Sequence, residues 1–483
     1  MSLKRSLPAG FSLSDDADIH TGADARPGEI QLRNDDGNLS RAWLEQLRAH
    51  LDDADAAELA DVTAPLHASD LGDVLEALDA DERLSLVRLL GDKFDFQALT
   101  EVDDHIRADI VDDMSVKDIA RGVSGLDTDD AVYILEDIDA PDREEILAQM
   151  PAFDRLSLRR SLDFPEDSAG RRMQVEFIAI PPFWTVGQTI DYLRSERDLP
   201  HEFYQIYVVD PTYNLLGTIA LDTFLRSRRT VRSEDLMNRT IITVDAGEDQ
   251  EEAARIFERY DLVEVGVVDE NNRLVGVLTI DDIVDVIHEE ASEDIHRLAG
   301  IGDEEISDNV WSAVRSRSTW LVVNLFTAVL ASLVIGLFDA TIQQMVALAV
   351  LMPIVASMGG NAAAQTMTIV VRALAMRELD TGRARRLILR EMAVGVVNGG
   401  IFAVLTAAIA IGWFGSIELG AVIGLAMIVN MIAAGAAGIL IPLGLNRLKI
   451  DPAIASSVFV TTVTDVVGFF AFLGLAGLWF GLL

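Results

Sequence analysis

Apolar residues run almost unbroken through five stretches near the C-terminal end, at about 318–338, 342–372, 388–414, 418–445 and 453–480. At 1.5 Å per residue, each is long enough to cross a hydrocarbon core of roughly 30 Å as a helix. Earlier in the chain the pattern differs. Residues 41–165 carry short amphipathic helical segments, and DLGDVLEALDADERLSLVRLL at 70–90 aligns at an offset of 48 with DIARGVSGLDTDDAVYILEDI at 118–138. Such self-similarity predicts a stacked all-α superhelix. Residues 166–288 alternate strand and helix patterns, and VVDPTYNLLGTIALDTFL at 208–225 matches VVDENNRLVGVLTIDDIV at 267–284, offset by 59. Each copy predicts a strand, an Asp-led turn, a second strand after Leu-x-Gly, and a helix capped by Asp222 or Asp281. Residues 281–317 read as a long helical connector. Residues 1–40 are acidic and turn-rich with few periodic apolar positions, which predicts a disordered leader.

Charge follows the same division. The chain has 78 Asp+Glu against 39 Lys+Arg, a formal net charge of -39, and no cysteine. Residues 1–317 hold 71 of the acids and 31 of the bases, so the acidity belongs to the part ahead of the apolar stretches. An acidic surface of that size repels polyanions, which excludes nucleic acid as a partner. Absence of cysteine excludes disulfides, thiol catalysis and thiolate-ligated zinc. The first twenty residues lack the apolar core of a secretory signal, so the acidic part is expected in the cytoplasm. Of the basic residues, 35 are Arg and 4 are Lys. A Lys-poor acidic surface suits a salt-rich, halophilic cytoplasm, and most of the carboxylates need no other explanation.

Basic residues also orient the spans. Arg315 and Arg317 precede the first, Arg377, Arg383, Arg385, Arg386 and Arg390 flank the connection from second to third, and Arg447 and Lys449 lie between fourth and fifth. The turns around Asp339 and Gly415 have none. By the positive-inside rule the N-terminus faces the cytoplasm and the C-terminus the outside.

Two spans are more polar than an anchor requires. The second, LMPIVASMGGNAAAQTMTIVVRALA, places Gly359, Gly360, Asn361, Gln365 and Thr366 where a lipid-facing helix would carry Leu and Val. These residues either serve close helix packing or line a water-filled path. The fifth carries Asp465 near its middle, with no basic residue at that depth in another span. An intramembrane carboxylate costs about 3 kcal/mol on insertion scales, which marks it as a functional candidate. Ser457, Thr461, Asp465 and Gly468 fall at i, i+4, i+8 and i+11, on one helix face, with Gly468 leaving room for an ion or a backbone. A polar stripe with a negative charge and no Arg or Lys reads as a cation path. The competing reading is a protonated Asp465 bonded to a neighbour such as Asn430. In the connector, Asp282, Asp285, Glu289 and Glu293 form an acidic stripe beside Ile283, Ile287, Ile295 and Leu298. Like charges at this spacing destabilise a helix and call for bound cations or high salt. No catalytic constellation is present, and the chain is not expected to be an enzyme.

The duplicated V-V-D-x(4)-L-x-G pattern resembles a tandem pair of CBS modules, which commonly bind adenine nucleotides or ions. The acidic helical domain, CBS pair, acidic connector, P-I-V-A-S-M-G-G-N-A-A-A-Q-T in the second span and T-T-V-T-D-V-V-G in the fifth together resemble the MgtE family of magnesium channels. The resemblance implies a multidomain membrane protein: an all-α superhelical N-terminal domain (41–165), α+β tandem CBS domains (166–288), a long plug helix (281–317) and a five-helix transmembrane domain (318–483). It implies a Mg²⁺-selective importing channel, built as a homodimer in the lipid bilayer with its pore on the two-fold axis between second and fifth spans. Intracellular Mg²⁺ bound between helical domain, CBS modules and plug would hold it shut. Matching positions for regulatory Mg²⁺ are Asp249, Glu251 and Asp261 in the second CBS module, Asp282, Asp285, Glu293 and Asp294 on the plug, and Asp451 at the fifth span. Asp127, Asp129 and Asp130 are the candidate partners in the helical domain. ATP is a candidate CBS ligand, with no nucleotide residues assigned. Two alternatives stand beside this reading: a membrane-anchored nucleotide or ionic-strength sensor without transport, and an ion-coupled divalent-cation exchanger.

Overall fold

The structure, a computed structural model, describes residues 31–34, 36–196, 199–200, 202–299, 310–375 and 381–481. It divides into two compact units, residues 1–284 and 285–483. Most of the acidic leader lies outside the described residues. Its described end is engaged, since Arg33 donates to Asp70 at 3.0 Å and to Asp73 at 2.5 Å.

The first unit begins with α1 (Arg41–Asp52), α2 (Ala56–Thr63), α3 (Ala68–Ala77), α4 (Ala80–Leu90), α5 (Asp104–Asp113), α6 (Val116–Val123), α7 (Thr128–Glu136), α8 (Ala140–Gln149) and α9 (Ala152–Leu162). The 48-residue repeat is structural. Helices α3 and α4 recur as α6 and α7, with Asp79 and Asp127 at the two equivalent N-caps. Buried Leu71, Leu75, Leu86 and Val87 recur as Ile119, Val123, Ile134 and Leu135. No helix of about ten residues is stable alone, so each buries its apolar stripe against the next pair. Arg107 is buried in this stack, where it pairs with Asp104 and Asp137, each at 2.5 Å, and stacks on Tyr133 at 4.2 Å.

After α10 (Ala169–Arg172), β1 (Ala179–Ile180) and α11 (Val186–Ser195) come β2 (Gln205–Val209), β3 (Leu215–Ala220), α12 (Leu221–Leu225) and α13 (Ser233–Leu236). The second copy has β4 (Thr243–Asp245), α14 (Gln250–Tyr260), β5 (Glu264–Val268), β6 (Leu274–Thr279) and the start of α15 (Ile280–Ala299). Both sheets have three strands, the first parallel to the second and the second antiparallel to the third. Even the register shifts repeat, at Val208/Val209 and Val267/Val268. Asp210 and Asp269 head the turns by accepting backbone N–H groups, Asp210 from Thr212 and Asn214 and Asp269 from Asn271 and Arg273. One expectation changes here: Asp222 and Asp281 are not caps. Each lies within the first turn of its helix, where a carboxylate favours the positive end of the helix dipole.

The second unit contains α16 (Val310–Gly336), α17 (Asp339–Gln344), α18 (Ala347–Ala375), α19 (Thr381–Phe414), α20 (Ile417–Arg447) and α21 (Pro452–Phe480). Five of these helices are long and apolar enough to cross a membrane. The third span starts earlier than its apolar run, because helix α19 extends outward through Arg383, Arg385, Arg386 and Arg390. Helix α20 is the hub, packed against α18, α19 and α21 and largely buried, whereas α16 leans on α21 with Leu321, Val322, Leu325 and Phe326 exposed. Of the connector's apolar stripe, Ile283 is buried and Leu298 packs against Ala363, Met367 and Val460, while Ile287 and Ile295 are exposed.

Candidate functional site

Helices α18 and α21, which carry the polar residues of the second and fifth spans, pack against each other. On α18, Ser357, Asn361, Gln365 and Thr368 lie at spacings of four, four and three residues. They make one polar line along a mostly apolar helix. Asn361 is exposed in the single chain and reaches its own turn only weakly, 3.5 Å from Ser357 Oγ. On α21, Asp465 is half-buried, and among the described residues its carboxylate has no hydrogen-bond or ion-pair partner. One turn earlier the Thr461 hydroxyl donates to the Ser457 carbonyl at 2.9 Å. A line of amides and hydroxyls beside a carboxylate is costly against lipid, so this face must meet water, ions or another protein surface.

Behind the line lies Asn430 of α20, fully buried. Its amide donates to the Val355 carbonyl at 2.8 Å, not to Asp465, and its side-chain oxygen has no partner among the described residues. A Cβ at Gly359 would lie 2.2 Å from the Asn430 amide nitrogen, and one at Gly468 would lie 2.8 Å from it. The space at these two glycines is therefore filled by Asn430, whereas a Cβ at Gly360 would meet nothing within 4 Å. Thr366 is buried, 3.3 Å from the carboxylate of Glu391 on α19. Sequence reasoning missed Glu391, hidden beside Arg390 in a run read only for its positive charge. Asn430 stands out as the single amide in an apolar run, and that signal was available.

In the first unit the acids at the start of α7 face the start of α15. Thr279 Oγ1 donates to Asp282 at 2.5 Å, and the Gln97 amide donates to Asp130 at 2.6 Å. Burial pushes the Asp129 carboxyl well above the usual range, reinforced by Asp282 and then Asp130. Burial likewise pushes Asp130 up to about 6, against the Gln97 hydrogen bond, with Asp127 and Asp281 adding repulsion. Among the described residues no three His, Asp or Glu side chains converge as a ready metal shell. Both carboxyl shifts record desolvation and repulsion between carboxylates, which a bound cation would relieve.

The other expected regulatory carboxylates have separate places. Asp249 caps α14, accepting from the Glu251 N–H at 2.9 Å, and Glu251 pairs with Arg255. Asp261 ends the same helix in the left-handed conformation, φ 51°. In the second unit Arg297 pairs with Glu293 and also donates to Asp451 at 2.7 Å, while Asp451 caps α21 by accepting from the Ala453 N–H at 2.8 Å. Asp285 and Asp294, both on α15, also have partners. Arg297 was absent from the sequence reading, which followed acids alone.

Comparison with known proteins agrees with this architecture. The MgtE family model, described as a divalent cation transporter, matches residues 352–475, the MgtE intracellular N domain matches 66–167, and a CBS domain matches 233–289. The magnesium transporter MgtE of Bacillus subtilis is 34% identical over 352 residues, covering 73% of this chain and 78% of that protein. That of Thermus thermophilus is 30% identical over 452 residues, covering 89% and 97%. A crystal structure of the cytosolic domain of the Mg²⁺ channel MgtE in complex with ATP is 26% identical, covers 50% of this chain and 99% of that one, and superposes with a TM-score of 0.47.

A helical repeat and duplicated CBS-type sheets precede five helices long and apolar enough to cross a membrane, and the divalent cation transporter model matches within those helices, so the class is a membrane cation transporter. The B. subtilis relative alone covers nearly three quarters of the sequence. The chain belongs to the MgtE family of magnesium transporters and carries Mg²⁺ across a membrane.

Proposed function

We propose that the protein is a homodimeric Mg²⁺-selective channel that imports Mg²⁺ and is shut by intracellular Mg²⁺. The supporting observation is the polar line Ser357, Asn361, Gln365 and Thr368 on α18, packed against the helix that carries Asp465, which has no partner among the described residues. In a bilayer such a face needs a cover that is not lipid, and a second copy about a two-fold axis supplies it while doubling Asp465. Mg²⁺ dehydrates reluctantly, so the paired carboxylates would attract the hydrated ion, with Asn361, Gln365, Thr461 and the Ser457 carbonyl facing its waters. Gly360 leaves open space beside that path, whereas Gly359 and Gly468 make room for Asn430 behind it. The N-terminus faces the cytoplasm, as the arginines flanking α18 and α19 favour.

The cytoplasmic carboxylates act as the sensor. Asp127, Asp129, Asp130 and Asp282 offer the most concentrated charge, and Asp249, Glu251, Asp261, Asp285, Glu293, Asp294 and Asp451 complete the set. Bound Mg²⁺ relieves their repulsion and favours the shut state; its loss favours opening. ATP at the CBS pair is a further ligand in this proposal. Mg²⁺ flux into proteoliposomes at graded Mg²⁺ on the cytoplasmic side tests transport and feedback together. Flux that does not fall as that Mg²⁺ rises overturns the gating, and flux that depends on a Na⁺ or H⁺ gradient replaces the channel with an exchanger.

A further inference from the structure

At one end of the membrane unit, α18 and α19 part around an open cavity of about 760 Å³. Its wall includes Ile369 and Arg372 from α18 and Arg383, Arg386, Leu387 and Arg390 from α19. On each helix these positions are spaced by three and four residues, so two arginine-bearing faces are turned toward one space. Among the described residues the lining contributes four guanidinium groups and no carboxylate. Nearby, the Glu391 carboxylate lies 3.7 Å from Arg390 and is buried on the other side, toward Thr366.

Depth places this cavity in a headgroup layer. Arg372 lies roughly 38 Å along the helix from the start of α18, and Arg390 roughly 36 Å from the end of α19, at 1.5 Å per residue. Both distances exceed the hydrocarbon thickness of roughly 30 Å, so the arginines stand just beyond the acyl region; Ile369, one turn inside Arg372, borders it, and Leu387 sits one turn farther out than Arg390. The helix ends sharpen the point. Arg383, Arg385 and Arg386 occupy the first two turns of α19, where the helix dipole is positive and cations are disfavoured. Inward-facing loops explain positive charge in general. They do not explain why the charges on both helices converge on a cavity, or why they sit at the end of α19 that suits an anion.

We propose that this cavity binds the phosphate-bearing headgroup of an anionic membrane lipid, with Arg372, Arg383, Arg386 and Arg390 around the phosphate, Leu387 in the wall between them, and Ile369 against the first methylenes of the acyl chains. The volume suits a headgroup-sized ligand, and basic pockets between membrane helices are a recognised way of holding acidic lipids. A bound lipid bridges α18, which carries the polar line, to α19. The site is independent of the gating carboxylates.

The experiment uses the full-length protein in nanodiscs of phosphatidylcholine, with and without phosphatidylglycerol, reading lipid retention by native mass spectrometry and the melting temperature. Phosphatidylglycerol is expected to be retained and to raise the melting temperature of the parent. Affinity should weaken about fivefold for each of Arg372→Gln and Arg386→Gln. Leu387→Trp, which fills the cavity and keeps every charge, should also lose retention, so the result does not rest on an arginine variant that fails to fold. Arg385→Gln, the same loss of charge off the cavity wall, should retain the lipid. Equal retention in parent and Leu387→Trp, or equal losses in Arg385→Gln and Arg386→Gln, overturns the site. Inorganic phosphate alone reproducing the variant-sensitive shift in phosphatidylcholine overturns the lipid assignment in favour of a free anion.

Discussion

The buried amide of Asn430 on α20 donates to the Val355 carbonyl of α18 at 2.8 Å. That carbonyl belongs to the helix turn preceding Gly359, and the Asn430 side chain lies over both Gly359 and Gly468, so one residue ties three membrane helices at the level of the polar line. Polar bonds between membrane helices are worth roughly 1 kcal/mol, and here the bond sits where two glycines admit the side chain.

Gly359→Ala should therefore displace Asn430 and break its bond to Val355, lowering stability by about 1–3 kcal/mol through the stranded polar groups. Asn430→Ala removes the obstacle. In the double variant the added methyl has space, and its cost should be smaller than in the parent background. A thermodynamic cycle on purified protein measures this coupling; strict additivity of the two changes would show that the Asn430 side chain does not fill the space at Gly359.

Long-period features were legible in the sequence. The five apolar runs and the 48- and 59-residue repeats follow from spacing, because each repeat or turn returns a side chain to the same environment. Charge balance between distant residues was less legible. Asp451 and Glu293 read as free carboxylates until α15 brings Arg297 to both. Gly468 read as room for an ion because Asn430 belongs to another helix, and Glu391 was lost among arginines because nothing local says which way a side chain points. The acid cluster was visible only as an excess of Asp, and the structure separates Asp129 and Asp130, half-buried near the first acids of α15, from the many exposed ones.

Asp465 gives the most direct prediction. If the polar line conducts Mg²⁺, Asp465→Ala should lower Mg²⁺ flux into proteoliposomes by more than about tenfold, the equivalent of about 1.4 kcal/mol in the barrier. Protein yield and melting temperature should hold, because the carboxylate has no partner to lose among the described residues. Parent-like flux in this variant would remove Asp465 from the ion path.

Arg297 gives a prediction about the sensor. Its charge serves Glu293 and Asp451 together, so Arg297→Gln leaves two carboxylates without their cation and raises their demand for Mg²⁺. The Mg²⁺ concentration that halves flux from the cytoplasmic side should fall, by up to about fivefold given roughly 1 kcal/mol for a partly exposed pair. An unchanged midpoint would mean that these two carboxylates serve α15 packing alone.

Glu136, at the far end of α7 from the acid cluster, sets a pH dependence of stability. Burial pushes its carboxyl up to about 7, although Arg172 and Arg171 approach to 3.9 and 3.6 Å and oppose the shift. The unfolded chain releases this proton near 4.5, whereas the folded chain holds it to about 7. Between those values the folded state binds more protons, so stability falls as pH rises through the window and levels off above it. At about 1.4 kcal/mol per pH unit the full effect is on the order of 3 kcal/mol. Glu136→Gln keeps the shape and removes the titration. Melts of the full chain from about pH 5 to about pH 8 should show a smaller loss of stability in the variant than in the parent. Identical slopes would mean that the two arginines hold Glu136 ionised across the range, and that α7 is fixed to α10 by an ion pair.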